Sequence, residues 1–233
     1  MNPISIVGAG PGALDLITIR AQQRLKSAEV LVWTDSLIPL QLTTLVNDSC
    51  EKIKTSSLTL EEIILILIKK HEEGKKIVRL HDGDPCLYGA ISEQICRLND
   101  EGIEVEVVPG VSAYQATAAT LGFELTIPDI TQTIILSRAD GRTGKPEKEN
   151  LHKLASIQSS LCLYLSARHV EEVQSILIKY YPSDTNVAIA YRVTWPEEWI
   201  TVVPLSEMAK TSKAQNLIRT TLYIISPAFK TGN

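Results

Sequence analysis

The chain reads first as short apolar runs alternating with stretches of helical spacing. Residues 4–7 form an apolar run stopped by Gly8-Ala9-Gly10-Pro11-Gly12, and from Asp15 the positions Leu16, Ile19 and Leu25 take up a helical period. Residues 30–33 predict a second strand. A helix over 60–71 follows, opened by Thr59, with Glu61 and Glu62 in its first turn and Gly74 closing it. Then come a strand over 76–80, a helix over 87–99, a strand over 104–108 and an Ala/Thr-rich helical stretch through Ala119. Strands alternating with helices imply a parallel sheet with crossovers on its faces.

Residues 121–130 interrupt this rhythm with Gly122 and Pro128, which places a domain boundary between 1–120 and 121–233. The second part predicts a strand over 133–137, a polar loop over 138–148, a strand over 161–165 and a helix over 170–180 stopped by Pro182. Close-spaced strands over 187–191, 199–203 and 222–225 point to an antiparallel or mixed sheet. The expected fold class is therefore α/β: two α/β domains, the first with a parallel sheet and the second with a mixed one.

Composition narrows the function classes. With 233 residues, 44% hydrophobic and 21% charged, the chain is one large domain or two small ones, and neither disordered, collagen-like nor a coiled coil. Against 27 acidic residues stand 23 basic ones, a net charge of -4, so no overall cationic field draws the chain to nucleic acid or a membrane surface. Aromatic residues make up only 5%, which argues against a base-stacking platform. Cys50, Cys86, Cys96 and Cys162 form no C-x-x-C pair and have no His at zinc-ligand spacing; no metal is expected, and buried reduced thiols are. The longest apolar run, 63–68, is far below the ~20 residues of a membrane span. The first residues read as a strand rather than a signal peptide, so the expected location is cytoplasmic.

Three loops carry candidate chemistry. Gly8–Ala13 has the G-x-G-x-x-A form of a dinucleotide fingerprint with Asp35 downstream, which keeps a nicotinamide enzyme open; Pro11 removes an amide that a pyrophosphate would use, and a merely tight turn also fits. His81-Asp82-Gly83-Asp84-Pro85 follows another strand, where its carboxylates suit ribose hydroxyls or a cation, while Asp84 and Pro85 also read as the cap and first residue of a helix. Pro109-Gly110-Val111-Ser112 repeats the geometry at a third strand end. Three such loops on one sheet edge imply a shared crevice.

Gly8-Ala9-Gly10-Pro11-Gly12 with Asp15-Leu16-Ile17-Thr18, Gly83-Asp84-Pro85 with Tyr88-Gly89, and Val108-Pro109-Gly110-Val111-Ser112 together resemble the ordered signature of the tetrapyrrole methylases. The resemblance covers essentially the whole chain and implies two α/β domains with S-adenosylmethionine, released as S-adenosylhomocysteine, held between them. Residues 125–133, 137–143 and 191–196 are similar to the branch of that family acting on C11 of precorrin-4, with or without cobalt. Methylation of uroporphyrinogen III, precorrin-2 or precorrin-3 is the alternative within the family; methylation of a macromolecule, as in the related ribosomal RNA methyltransferases and diphthine synthases, and a non-catalytic S-adenosylmethionine-binding module lie further off. Ser112 stands where many relatives have Thr and keeps the hydroxyl.

The resemblance implies cofactor contacts at Pro11, Asp82, Gly83, Asp84, Leu87, Ser112 and Ala113, and at Leu165, Val193, Thr221 and Leu222 in the second domain. A polycarboxylate tetrapyrrole requires local cations, for which Arg138, Arg142 and Lys145 in one polar loop, and Arg192, are the candidates. Asp35 and His81 are candidates for positioning or exchanging a proton, with a hydrogen-bonded structural role as the other reading. The resemblance also implies a homodimer, to which the helix around 63–68 offers apolar surface.

Overall fold

The computed structural model describes residues 2–139 and 144–229, and the chain divides into two compact units, Met1–Ala113 and Tyr114–Asn233. This division falls a few residues ahead of the boundary read at 120/121.

In the first unit, β1 (Ile4–Gly8), β2 (Val30–Trp33), β3 (Glu51–Lys54), β4 (Ile77–His81) and β5 (Val105–Val108) form an all-parallel sheet in the order β3-β2-β4-β1-β5. Alternate residues feed opposite layers, as the pleat demands. Leu31, Trp33, Val78 and Leu80 pack with Ala21 and Leu25 of α1 (Ile19–Ser27), whereas Val30, Val32 and Ile77 pack with Ile63, Ile64 and Leu67 of α2 (Leu60–Glu72) and Leu98 of α3 (Ile91–Asp100). Arg79 and His81 share the face of Ile77, inside an otherwise apolar layer.

Helix ends follow local chemistry. Thr59 and Glu62 form a capping box, with Thr59 N donating to the Glu62 carboxylate at 2.8 Å, and Gly74 ends the segment at φ +74°. The helix expected from Asp15 instead starts at Ile19 under a Thr18 cap, after one turn of 3-10 helix over Leu14–Leu16. The expected start at 87 also moves: α3 begins at Ile91, because 85–90 make turns with Tyr88 and Ala90 at positive φ. Asp84 thus caps a turn and not a helix.

The second unit holds most of α4 (Ala113–Thr120) and the strands β6 (Ile134–Arg138), β7 (Ser160–Tyr164), β8 (Asn186–Tyr191), β9 (Trp199–Pro204) and β10 (Thr221–Ile225), in the order β6-β7-β10-β8-β9. Among the described residues only the β6–β7 pair of this sheet is parallel, so the sheet is mixed as expected. Leu161, Leu163, Val187, Ile189, Tyr223 and Ile225 turn one face toward α5 (Leu151–Ala155), α6 (Val170–Leu177) and α7 (Met208–Ala214), making one core with Val173, Leu177 and Met208.

The cysteines correct one expectation. All four are free thiols, but only Cys50 and Cys162 are buried; Cys86 and Cys96 are exposed. Burial pushes the Cys162 thiol up to about 12, which leaves it inert.

Candidate functional site

Parallel strands deliver their C-terminal ends to one edge, so the segments after β1, β2, β4 and β5 all emerge together. Adjacent strands β4, β1 and β5 carry the three glycine loops. Their backbones interlock. Ala9 N donates to His81 O at 2.7 Å, while Gly10 and Gly83 exchange a pair of amide hydrogen bonds at 3.2 and 2.9 Å. A Cβ on Gly8 would lie 2.6 Å from Gly110 N and 2.7 Å from Gly83 O, so only glycine permits this approach.

Asp84 closes the arrangement. One carboxylate oxygen accepts Cys86 N at 2.8 Å and the other accepts Gly110 N at 3.0 Å, which ties the loop after β4 to the loop after β5. Asp82 exposes its side chain at the same edge. Protein atoms crowding that accessible carboxyl raise its pKa, opposed by its own backbone amide and by Arg79. Gly83, at φ +56°, has open room: a Cβ there would meet only Ser112, at 3.8 Å. Pro11 and Ser112 are buried, while Asp84, Leu87 and Ala113 are half-buried.

The glycine loop is not a dinucleotide site of the expected kind. A 3-10 turn separates it from α1, so that helix does not open directly from the loop, and β1 lies between β4 and β5 rather than beside β2.

Asp35 emerges at the same edge, where its carboxylate accepts Ser56 N at 3.2 Å. Desolvation pushes its pKa up, but donors from Ser56 outweigh that and leave it below the ordinary value. His81 is 5% exposed, and burial first, then the adjacent Arg79 charge, lowers it to about 3. A neutral, enclosed imidazole suits a structural role better than proton exchange. Arg79 escaped the sequence reading altogether. It is buried, held by Val32 O and Leu80 O at 3.4 Å and Thr34 Oγ1 at 3.2 Å, with burial lowering its pKa to about 10.

In the second unit, Leu165 is 68% exposed at φ +50°, directly after β7. An apolar side chain is thus held out to solvent on strained, left-handed backbone. Val193, Thr221 and Leu222 are buried, the last two at the start of β10. Arg138 donates to Ala139 O and Gly144 O, both at 3.3 Å, and Lys145 Nζ to Ser137 Oγ and Arg138 O at 3.2 and 2.9 Å, so these cations brace their own loop. Arg142 lies outside the described residues. Tyr88, exposed at φ +60°, and Trp195, stacked on Arg192, both fall in segments that carry the family resemblance, but their backbone strain and cation–π contact had no local signal in the sequence. Among the described residues no three His, Cys, Asp or Glu side chains gather as a metal site, and no helix is long and apolar enough to cross a membrane.

The profile of the tetrapyrrole (corrin/porphyrin) methylases matches residues 3–209. A cobalt-precorrin-4 C(11)-methyltransferase of Methanocaldococcus jannaschii is 40% identical over 223 residues, covering 95% of this chain and 86% of the relative. A precorrin-4 C(11)-methyltransferase of Pseudomonas aeruginosa is 38% identical over 222 residues, covering 95% and 88%. The X-ray structure of a cobalt precorrin-4 methyltransferase, a cobalamin biosynthetic enzyme, is similar with a TM-score of 0.93 at 38% identity, over 97% of this chain and 95% of that one.

Proposed function

Because this chain belongs to the tetrapyrrole (corrin/porphyrin) methylases, we propose that it transfers a methyl group from S-adenosylmethionine to C11 of precorrin-4, or of its cobalt-bearing counterpart, during assembly of the corrin ring. The observation that carries the reading is the interlocked triplet of loops after β4, β1 and β5, set in a chain 40% identical to an enzyme of that name over 95% of its length.

The residues at the loop edge fit S-adenosylmethionine. Gly83 leaves its backbone approachable, and the exposed Asp82 carboxylate complements a cation. When bound, the cofactor supplies a methyl group on an already activated sulfonium. The task of the chain is then alignment, which supplies a large share of the barrier reduction without an acid, a base or a metal. Asp84 holds the loops in register through Cys86 and Gly110, and Leu87, Ser112, Ala113 and Pro11 line the same edge. Leu165, Val193, Thr221 and Leu222 are proposed as further cofactor contacts, with Asp35 as a positioning group.

Arg138, Arg142, Lys145 and Arg192 are proposed to meet the carboxylates of the tetrapyrrole, which a chain of net charge -4 attracts only through local cations. Assembly as a homodimer belongs to the same reading, and sedimentation reports it directly. The decisive experiment is incubation with methyl-labelled cofactor and precorrin-4, with and without cobalt, and NMR assignment of the labelled carbon. Label at C11 is expected; label at another carbon, or none, overturns the proposal, and the two arms tell which form of the substrate is used.

A further inference from the structure

Methyl transfer does not explain the turn joining β8 to β9. Arg192 leaves β8 in the left-handed region at φ +47°, and Thr194 repeats it at φ +66°. Four hydrogen bonds lock this backbone. Arg192 N donates to Thr220 O at 3.0 Å, Trp195 N to Arg192 O at 2.9 Å, Glu198 N to Trp195 O at 3.0 Å, and Thr194 N to the Glu198 carboxylate at 2.6 Å. The guanidinium carbon consequently lies 5.3 Å from the Tyr191 ring centroid and 4.8 Å from that of Trp195. Both distances are within cation–π range.

Its charge, by contrast, is loosely met. Nη1 faces the Glu197 carboxylate at 3.5 Å, with the Glu197 side chain 61% exposed, and buried Nε has no hydrogen-bond partner. A charge-assisted pair closes to about 2.7–2.9 Å, and a bidentate one uses two donors. The Arg192–Glu197 contact does neither, and exposed pairs of this kind are weak.

We infer that Arg192, seated on Tyr191 and Trp195, is a carboxylate-recognition residue for the acceptor, and that Glu197 is an exchangeable counter-ion displaced when a carboxylate of the tetrapyrrole forms a forked pair. The inference deepens the polycarboxylate-substrate reading above and rests on it. Stacking on two rings, over a backbone fixed by hydrogen bonds, already holds the guanidinium, so little side-chain freedom is lost on binding. Glu197, on an exposed turn, moves into water at small cost.

The test is titration of the full-length chain with uroporphyrin, a polycarboxylate tetrapyrrole, followed by porphyrin fluorescence. Glu197→Gln removes the competing counter-ion and is expected to tighten binding about threefold, while Arg192→Lys, a point charge without a fork, weakens it about tenfold. Affinity for S-adenosylhomocysteine, read by calorimetry, stays within about twofold in both variants. Glu197→Gln binding no tighter than the original chain, or Arg192→Lys binding equally well, overturns the inference. Should Arg192→Lys not fold, the exposed Glu197→Gln decides alone. Failure to methylate C11 with these affinity changes intact overturns the activity and leaves the recognition role standing.

Discussion

Gly110 N donates to Asp84 Oδ2 at 3.0 Å, and this single contact joins two loops separated by a whole helix and strand of sequence. Asp84 is therefore a spacer between loops before it is anything to a ligand. Asp84→Asn keeps one acceptor but turns a donor toward one of the two amides, at a cost of about 1.5–3 kcal/mol. We expect a lower thermal midpoint together with an affinity for S-adenosylhomocysteine reduced at least about tenfold. A stable variant with unchanged affinity would show that the loops hold their register without it.

Gly8→Ala tests the interlock itself. The new Cβ meets backbone atoms of Gly83 and Gly110 that have no flexible end to yield, so destabilisation of about 2–3 kcal/mol is expected in urea. Gly102→Ala is the control: its φ is +71°, but nothing lies within 4 Å, and only about 1 kcal/mol of backbone strain should appear. Equal losses at both positions would remove close approach as the reason for Gly8.

His81 makes stability depend on pH. Its folded pKa of about 3 lies below the ordinary 6.5, so between those values the unfolded chain binds more protons. Its contribution is thus constant above 6.5 and is lost as pH falls through the window toward 3, by up to about 1.4 kcal/mol per pH unit. From about pH 7 to about pH 5 the original chain should lose roughly 2 kcal/mol more than His81→Gln. Parallel pH profiles would mean that the imidazole finds a proton-compatible site after all.

Leu165→Gly separates stability from binding. Glycine accepts φ +50° without a Cβ penalty, and the exposed leucine buries little, so stability should rise by about 1 kcal/mol. Cofactor affinity should meanwhile fall about tenfold. If calorimetry shows no such fall, Leu165 is not a contact.

Replacing Arg138 and Arg142 by Ala should weaken tetrapyrrole binding while cofactor affinity holds. Since Arg138 also braces Ala139 and Gly144, Arg138→Lys is the sharper comparison: it keeps charge near the loop and loses the forked donors. Tetrapyrrole affinity unmoved in all of these variants would assign the loop to solvent.

The strands of the first unit were legible because their residues are apolar on both faces, and the three loops because glycine marks each one. β3 was not: Glu51, Lys52 and Lys54 give it the polarity of a loop, and only pairing beside β2 makes it a strand. The late start of α3 was hidden for a related reason, since Tyr88 and Ala90 adopt left-handed backbone that sequence ordinarily assigns to glycine or asparagine. Arg79 went unread because an arginine inside a strand otherwise reads as an exposed position. Its burial follows from register, which places it beside Val32, and no local pattern reveals register.

That same charged β3 has a consequence for assembly. It is one of the two edge strands of its sheet, with Glu51, Lys52 and Lys54 exposed, and a rim of mixed charge is a poor template for another backbone. Two copies of this chain cannot readily merge their parallel sheets there into one continuous sheet. A pairing surface has to be sought elsewhere on the chain, and the charged rim guards this edge against fibrous stacking.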